Sequence, residues 1–339
     1  MSKKIDNKKL LSILIILVGI YCLSRYISSK RGENTFKPAI IPNIDTNKVG
    51  SIYIYGNKRK YPIHLHKESK QWMASWNDIT SIAEQGSPRY MISQLRDISP
   101  DRLATDDVKQ WTNYQVDSTG TRIVVLGVSK DTILDVIVGK FGFMPEQRQG
   151  MSYVRINGQK EVYGVVGFLA MNIAQDFDSW RNRKIIFQDF HTYQKLTFTY
   201  AGDSSFSVER VKGSIGKWHF EDGKEADSIA TFNSLNSISR QNYGNFVNKF
   251  DTNNSTPLFT LKVEADPGGI AVIKAYPPPA NDTLDKYVIT SSMDPGAYFS
   301  GYKSGLFNKL FVSKKAFMYS PPAKASAKPA GKPIKVGKK

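Results

Sequence analysis

From residue 49 onward, apolar and polar positions alternate over short stretches, which is the pattern of half-buried β-strands. The stretch VGSIYIYG places Ile52 and Ile54 on one face and tyrosines on the other. IHLH then repeats the alternation with Ile63 and Leu65. The later stretch SPRYMISQLRDI has Pro88 near its start and apolar residues at helical spacing, so it predicts a helix.

The same order of strand pair, tryptophan and helix recurs from residue 193, at offsets of 140 to 146 residues. Chance alternation in a strand-rich chain is the alternative explanation. The recurrence predicts an α+β fold of two tandem strand-rich repeats with antiparallel sheets, at residues 49–191 and 192–317. Near the ends of the two repeats, Arg183-Lys184 is matched with Lys314-Lys315. The other matched residues, first repeat before second, are Ile52 and Leu196, Ile54 and Phe198, Ile63 and Phe206, Leu65 and Val208, Trp72 and Trp218, Ile92 and Phe232, and Leu95 and Leu235.

The N-terminal stretch is typical of a membrane anchor. Residues 10–24 carry no charge, and lysines and arginines flank them. Fifteen helical residues rise roughly 22 Å, and extension to residue 27 past a snorkelling Arg25 gives about 27 Å. The alternative is a cleaved signal peptide, but no A-x-A-like pair of small residues follows the run, and Tyr21 before Cys22 does not fit a lipoprotein signal.

These features predict an anchor in residues 1–31 that contacts the lipid bilayer through residues 10–27, followed by a linker at residues 32–48. The four lysines ahead of the span favour a cytoplasmic N-terminus. We therefore expect a single-pass protein of the cytoplasmic (inner) membrane, with its body on the extracytoplasmic or periplasmic side.

The net charge of +17 is concentrated at the two ends of the chain. Residues 1–48 hold nine Lys and Arg against three acids, and residues 318–339 hold six Lys and no acid. The body between them is close to balanced, which argues against a nucleic-acid-binding face. The segment 318–339, rich in Pro, Ala and Lys, is predicted to be a disordered basic tail. It is interpreted as a solvated segment, and the alternative is an electrostatic contact with anionic surfaces. The single cysteine excludes an intrachain disulfide framework.

The strongest candidate for metal chemistry is the row His64, His66 and Glu68, because alternate residues of a strand share one face. The matched row of the second repeat reads Ser207, Glu209 and Val211, although the apolar positions between them are kept. This difference indicates a solvated surface rather than a metal site. We predict no catalytic, cofactor-binding or metal-binding residues and no cofactor. The tryptophans Trp72, Trp111, Trp180 and Trp218 are interpreted as packing residues.

The order of the stretches SPRYMISQLRDI, NYQVDSTGTRIVV, YVRINGQKEVYGVV and SWRNRKII resembles the domain-of-unknown-function family 4340, over roughly residues 49–250. The resemblance implies a membrane-anchored, non-cytoplasmic bacterial protein, often encoded beside ABC-type transporter components of the gliding-motility kind. It implies no site residue. The resulting hypothesis is a non-enzymatic accessory or scaffold module whose partners are ABC-type transporter subunits. The alternative is a cell-envelope enzyme or glycan-binding protein that uses a cleft between the repeats.

Overall fold

The computed structural model describes residues 16–22, 44–57, 59–144, 148–173, 175–202, 204–214, 216–248, 250–278, 287–301 and 305–319. The chain divides into two compact units, Met1–Arg183 and Lys184–Lys339. The predicted repeat boundary lies eight residues later, between residues 191 and 192.

Only residues 16–22 of the predicted anchor span are described, and they are helical. The rest of that span, the linker before residue 44 and the tail from residue 320 lie outside the described residues. Within the described part of the chain, no helix combines the length and the apolar character needed to cross a membrane.

The first unit is built on an antiparallel sheet, sheet 1, with the strand order β4-β3-β2-β1-β6-β7-β8-β9-β5. Apart from the helical residues 16–22, its described helices are α1 (Gly86–Arg96), α2 (Trp111–Tyr114), α3 (Leu169–Ile173) and α4 (Phe177–Trp180), with a 3-10 turn at Val108–Gln110. Its strands are β1 (Val49–Tyr55), β2 (Ile63–Glu68), β3 (Gln71–Trp76), β4 (Ile79–Ile82), β5 (Pro100–Thr105), β6 (Thr121–Gly127), β7 (Thr132–Met144), β8 (Gln149–Ile156) and β9 (Val162–Val166).

The second unit is built on sheet 2, also antiparallel, with the order β13-β12-β11-β10-β14-β15-β16-β17. Its described helices are α5 (Ser228–Ser239) and α6 (Leu306–Leu310), with 3-10 turns at Phe190–Thr192 and Lys314–Phe317. Its strands are β10 (Tyr193–Tyr200), β11 (Phe206–Arg210), β12 (Trp218–Phe220), β13 (Glu225–Ala226), β14 (Phe259–Ala265), β15 (Gly269–Tyr276), β16 (Val288–Ser291) and β17 (Asp294–Ser300).

The two sheets share one strand order through eight positions. The ninth position is a full strand, β5, in sheet 1. In sheet 2 it is an isolated bridge between Phe246 and Phe299. The hydrogen bond from the Val247 N–H to the Tyr298 carbonyl, 2.8 Å long, continues that bridge. Chain therefore pairs at the same edge of both sheets, as a full strand beside β9 in sheet 1 and as a single bridge beside β17 in sheet 2.

Cross-strand register matches as well as strand order. Ile52 pairs with Leu65 on one side and Val125 on the other. In sheet 2, Leu196 pairs with Val208 and Val263. Each of these residues is fully buried in the core of its own unit. The sequence matches of Ile52 with Leu196 and of Leu65 with Val208 therefore fall at equivalent places in the two sheets.

The ends of the two units explain why the division falls before residue 191. The Trp180 carbonyl accepts a hydrogen bond from the Glu84 N–H, 2.8 Å long, and the Phe317 carbonyl accepts one from the Asp227 N–H, 3.0 Å long. Trp180 is thus the counterpart of Phe317. Ile185 follows Arg183-Lys184 as Ala316 follows Lys314-Lys315, yet Ile185 packs in the core of the second unit and does not close the first.

Candidate functional site

The histidine row lies on the side of sheet 1 that faces away from the core. His64, His66 and Glu68 share this face of β2, because Ile63 and Leu65 between them are fully buried. The Nε2 atom of His66 lies 3.1 Å from the Glu68 carboxylate. The three side chains thus occupy the face that their spacing predicts, with one polar contact between them.

The histidine rings pack against aromatic neighbours, which the sequence interpretation of a solvated row did not foresee. The His64 ring stacks on Tyr53 with centroids 4.1 Å apart and planes 4° apart. His66 stacks on His64 at 4.5 Å. Register causes this stack, since Tyr53 is the cross-strand partner of His64. Nε2 of His64 and Nδ1 of His66 are buried and have no hydrogen-bond partner among the described residues.

Burial, and secondarily the charge of His66, lowers the pKa of His64 to about 4. His64 is therefore neutral at pH 7 and adds no positive charge to this face. Among the described residues, no group of three or more His, Cys, Asp or Glu side chains comes together in a way that could hold a metal ion. The rings of Tyr53, His64 and His66 instead form one continuous stack along this face.

A charged cluster continues the aromatic row on the same side of sheet 1. The Arg122 guanidinium donates two hydrogen bonds to the Asp135 carboxylate, at 2.8 and 2.6 Å. Asn157 donates a further bond to Asp135 at 2.8 Å. The Arg122 bond is the main reason why the pKa of Asp135 lies below its usual range. Arg122 also lies 5.6 Å from the ring centroid of Tyr55, which links this cluster to β1. We call the side chains on this face the outer row; they are Asn157, Asp135, Arg122, Tyr55, Tyr53, His64, His66 and Glu68.

Sheet 2 lacks this row at the equivalent register positions. Thr197 and Ser207 pair where Tyr53 and His64 pair in sheet 1. Lys195 forms an ion pair with Glu209 at 3.1 Å. The inner faces of the two sheets are alike, whereas the outer faces carry different chemistry.

A second kind of site is a groove formed between the tryptophan-bearing strand and the first long helix of each unit. Groove 1, about 480 Å³ in volume, lies between Trp72 and α1. Groove 2, about 380 Å³, lies between Trp218 and α5. The lining residues correspond by the sequence offsets of the repeats. The corresponding pairs, groove 1 before groove 2, are Thr46 and Phe190, Asn47 and His191, Lys67 and Arg210, Lys70 and Gly216, Trp72 and Trp218, Arg89 and Ile229, and Ile92 and Phe232.

One cation packs against the tryptophan in both grooves. Lys67 Nζ lies 5.2 Å from the Trp72 ring, and the Arg210 guanidinium lies 5.3 Å from the Trp218 ring. Lys67 and Trp72 are cross-strand partners, as are Arg210 and Trp218. The helix side differs, because Ile92 is 2% exposed whereas Phe232 is 51% exposed and meets Phe190 edge to face at 5.3 Å. Sequence matching found the tryptophan pair but not the grooves, since lining residues come from separate parts of each unit.

Trp111 and Trp180 are packing residues to different degrees. Trp180 is 2% exposed, within the first core. Trp111 is half-buried, lies 3.8 Å from the Arg155 guanidinium and donates a 3.0 Å hydrogen bond to the Lys160 carbonyl. A third concavity of about 640 Å³ lies beside α5 and α6, where Asp227 is committed to capping α5.

Residues 76–261 match the model of a domain of unknown function, DUF4340. The match covers more than half of the chain. The chain belongs to the DUF4340 family. The family resemblance seen in the sequence is thereby confirmed. Comparisons with curated proteins and with solved structures give no significant match.

The DUF4340 match runs from the last residue of β3 into β14. It therefore contains every lining residue of groove 2. Of groove 1 it contains only the helix side, because Lys67, Lys70 and Trp72 precede residue 76.

Proposed function

We propose that this DUF4340 protein is a membrane-anchored extracytoplasmic accessory or scaffold module of an ABC-type transport or gliding-related assembly. The helical stretch 16–22 is the observation that supports the membrane-anchor part of this proposal. Its apolar side chains Ile16, Leu17 and Val18 are 61%, 58% and 53% exposed. An apolar helix surface of this kind is costly in water and is stabilised by lipid.

The two sheet units support the scaffold part of the proposal. Each has its own hydrophobic core and an outward-facing surface with distinct chemistry. Two compact units with unlike surfaces suit a protein that holds partners in place. The transporter class of the partner comes from family analogy alone.

The anchor and the orientation are tested together by fusing alkaline phosphatase to the C-terminus of the full chain. We expect enzymatic activity of the fusion and recovery of the chain with membranes after a carbonate wash. An inactive fusion, or a chain released by the wash, would contradict the proposed topology.

The partner is tested by crosslinking in native membranes followed by mass spectrometry. We expect crosslinks to ABC-type transporter subunits, with the fusion-free chain as bait and an unrelated single-pass protein as control. Recovery of no transporter component, combined with retention of the chain on purified cell-wall glycan, would favour the alternative of a glycan-binding or enzymatic envelope protein.

A further inference from the structure

Groove 1 gathers three cationic side chains around one concavity. Lys67, Lys70 and Arg89 line it, and no Asp or Glu side chain does. None of the ion pairs among the described residues includes any of these three cations. All three are exposed, so water and salt screen their mutual repulsion, and the groove presents a net positive charge to which an anion is attracted.

The second unit shows that the fold does not require these cations. In groove 2, Gly216 stands at the position of Lys70 and Ile229 at that of Arg89. The concavity persists there, with its floor tryptophan still covered by one cation. Strand order and core packing therefore create the groove, and the extra positive charge in groove 1 is a separate property of the first unit.

The side chains around groove 1 are mainly hydrogen-bond donors. The lining contains two ammonium groups and a guanidinium, together with the Asn47 amide and the Ser69 hydroxyl. Guanidinium and ammonium groups bind phosphate oxygens through short, charge-assisted hydrogen bonds. The volume of about 480 Å³ leaves room for an organic substituent beside a phosphate.

We propose that groove 1 binds the phosphate group of a ligand, carried on either a soluble phosphate ester or a phospholipid headgroup. Lys70 and Arg89 hold the phosphate, and Lys67 is kept at the groove by its contact with Trp72. The site is independent of the scaffold proposal, since it needs only the first unit.

Isothermal titration calorimetry on the full chain in an uncharged detergent tests the site. The probes are inorganic phosphate, glycerol 3-phosphate and short-chain dihexanoylphosphatidylglycerol. We expect binding of at least one probe that weakens as salt rises. Lys70→Ala combined with Arg89→Ala should weaken it by about tenfold or more, because two charge-assisted hydrogen-bond donors are lost.

The matched control is Lys212→Ala combined with Lys217→Ala, which removes the same charge from two exposed lysines of the second unit that do not line groove 2. We expect it to leave the affinity unchanged. Equal weakening by both double variants, or no binding of any probe, would overturn the proposal. Binding of glycerol 3-phosphate identifies a soluble ester as a sufficient ligand, and binding of the lipid probe alone identifies the headgroup source.

Three further variants keep the test decisive if the double variant folds poorly. Arg89→Gln changes one exposed side chain and should weaken binding by several-fold, whereas Arg89→Lys should largely preserve it. In groove 2, Ile229→Arg places a second cation near Arg210 at a residue that is 74% exposed. In the Arg89→Gln background it should add a second, weaker phosphate-binding event. Absence of that gain together with unchanged binding in Arg89→Gln would contradict the assignment.

Discussion

The two units of this chain keep their inner faces alike and let their outer faces differ. At equivalent register positions, Ile52 and Leu196 are both fully buried. One residue further along, Tyr53 stacks on His64 in sheet 1, whereas the corresponding Thr197 pairs with Ser207 in sheet 2. Core positions are restricted by close packing, and outward positions are free to change because water accepts many side chains there.

The grooves extend the same lesson to concave sites. Their floors are shared, since Trp72 and Trp218 are 2% and 3% exposed. Their rims differ, with Arg89 in groove 1 standing where Ile229 stands in groove 2. A common fold has therefore produced a basic groove in one unit and an aromatic groove in the other.

The largest expected effect tests whether the buried tryptophan contributes equally to the free energy of unfolding in both units. Trp72→Ala and Trp218→Ala should each lower the free energy of unfolding by about 3–5 kcal/mol, because each removes a buried indole and leaves a cavity. Urea unfolding of the full chain in detergent, followed by circular dichroism, measures both. Tyr55→Thr, which installs a smaller residue at an exposed position of β1, is the control and should cost less than about 1 kcal/mol. A large loss from only one of the tryptophan variants would break the equivalence of the two cores.

The next effect tests a feature of the first unit that its counterpart lacks. The Arg181 side chain is 1% exposed, donates to the Ser81 hydroxyl at 3.0 Å and pairs with Asp178 at 3.3 Å. Arg181→Met should lower the free energy of unfolding by roughly 2–3 kcal/mol, since buried polar partners lose their donor. Because Trp180 corresponds to Phe317, the counterpart of Arg181 is Met318, which is 40% exposed. Met318→Ala should therefore change the free energy of unfolding by less than about 0.5 kcal/mol. Similar losses from the two variants, measured by the same urea titration, would show that the two ends are equivalent after all.

The smallest effect sharpens the contrast between the outer faces. The pKa of His64, lowered to about 4 by burial and then by His66, lies below that of an unfolded histidine, near 6.5. The unfolded chain therefore binds more protons between these values, and stability falls as pH drops from about 6.5 to about 4. His64→Ser, the residue of the second unit, should remove part of that loss, on the order of 1 kcal/mol after screening by solvent.

Urea unfolding at pH 7 and at pH 5 measures this difference. Ser75→Ala, at the cross-strand neighbour of His64, changes no ionisable group and serves as the control. If the loss of stability between pH 7 and pH 5 is the same in His64→Ser and in the wild-type chain, it does not arise from His64 in the outer row.

The sequence foretold the parts of the fold that follow from short-range alternation. Buried Ile63 and Leu65, and their matches Phe206 and Val208, could be read from period-two patterns in single strands. The end of the first unit could not, because Arg183-Lys184 resembles Lys314-Lys315 locally while the closing contact is made by Trp180. Local sequence similarity shows only which residue types follow one another. The end of a unit depends instead on which tertiary contacts the segment makes.

By itself, the sequence determined the strand-rich α+β class, the inward-facing residues and the family, because each depends on patterns within short stretches. Only the tertiary structure decided that His64 is a half-buried stacking partner of Tyr53 and that Asn47, Lys67 and Arg89 line one groove. Those contacts join residues from different strands and helices, so they exist only once register and helix packing are fixed.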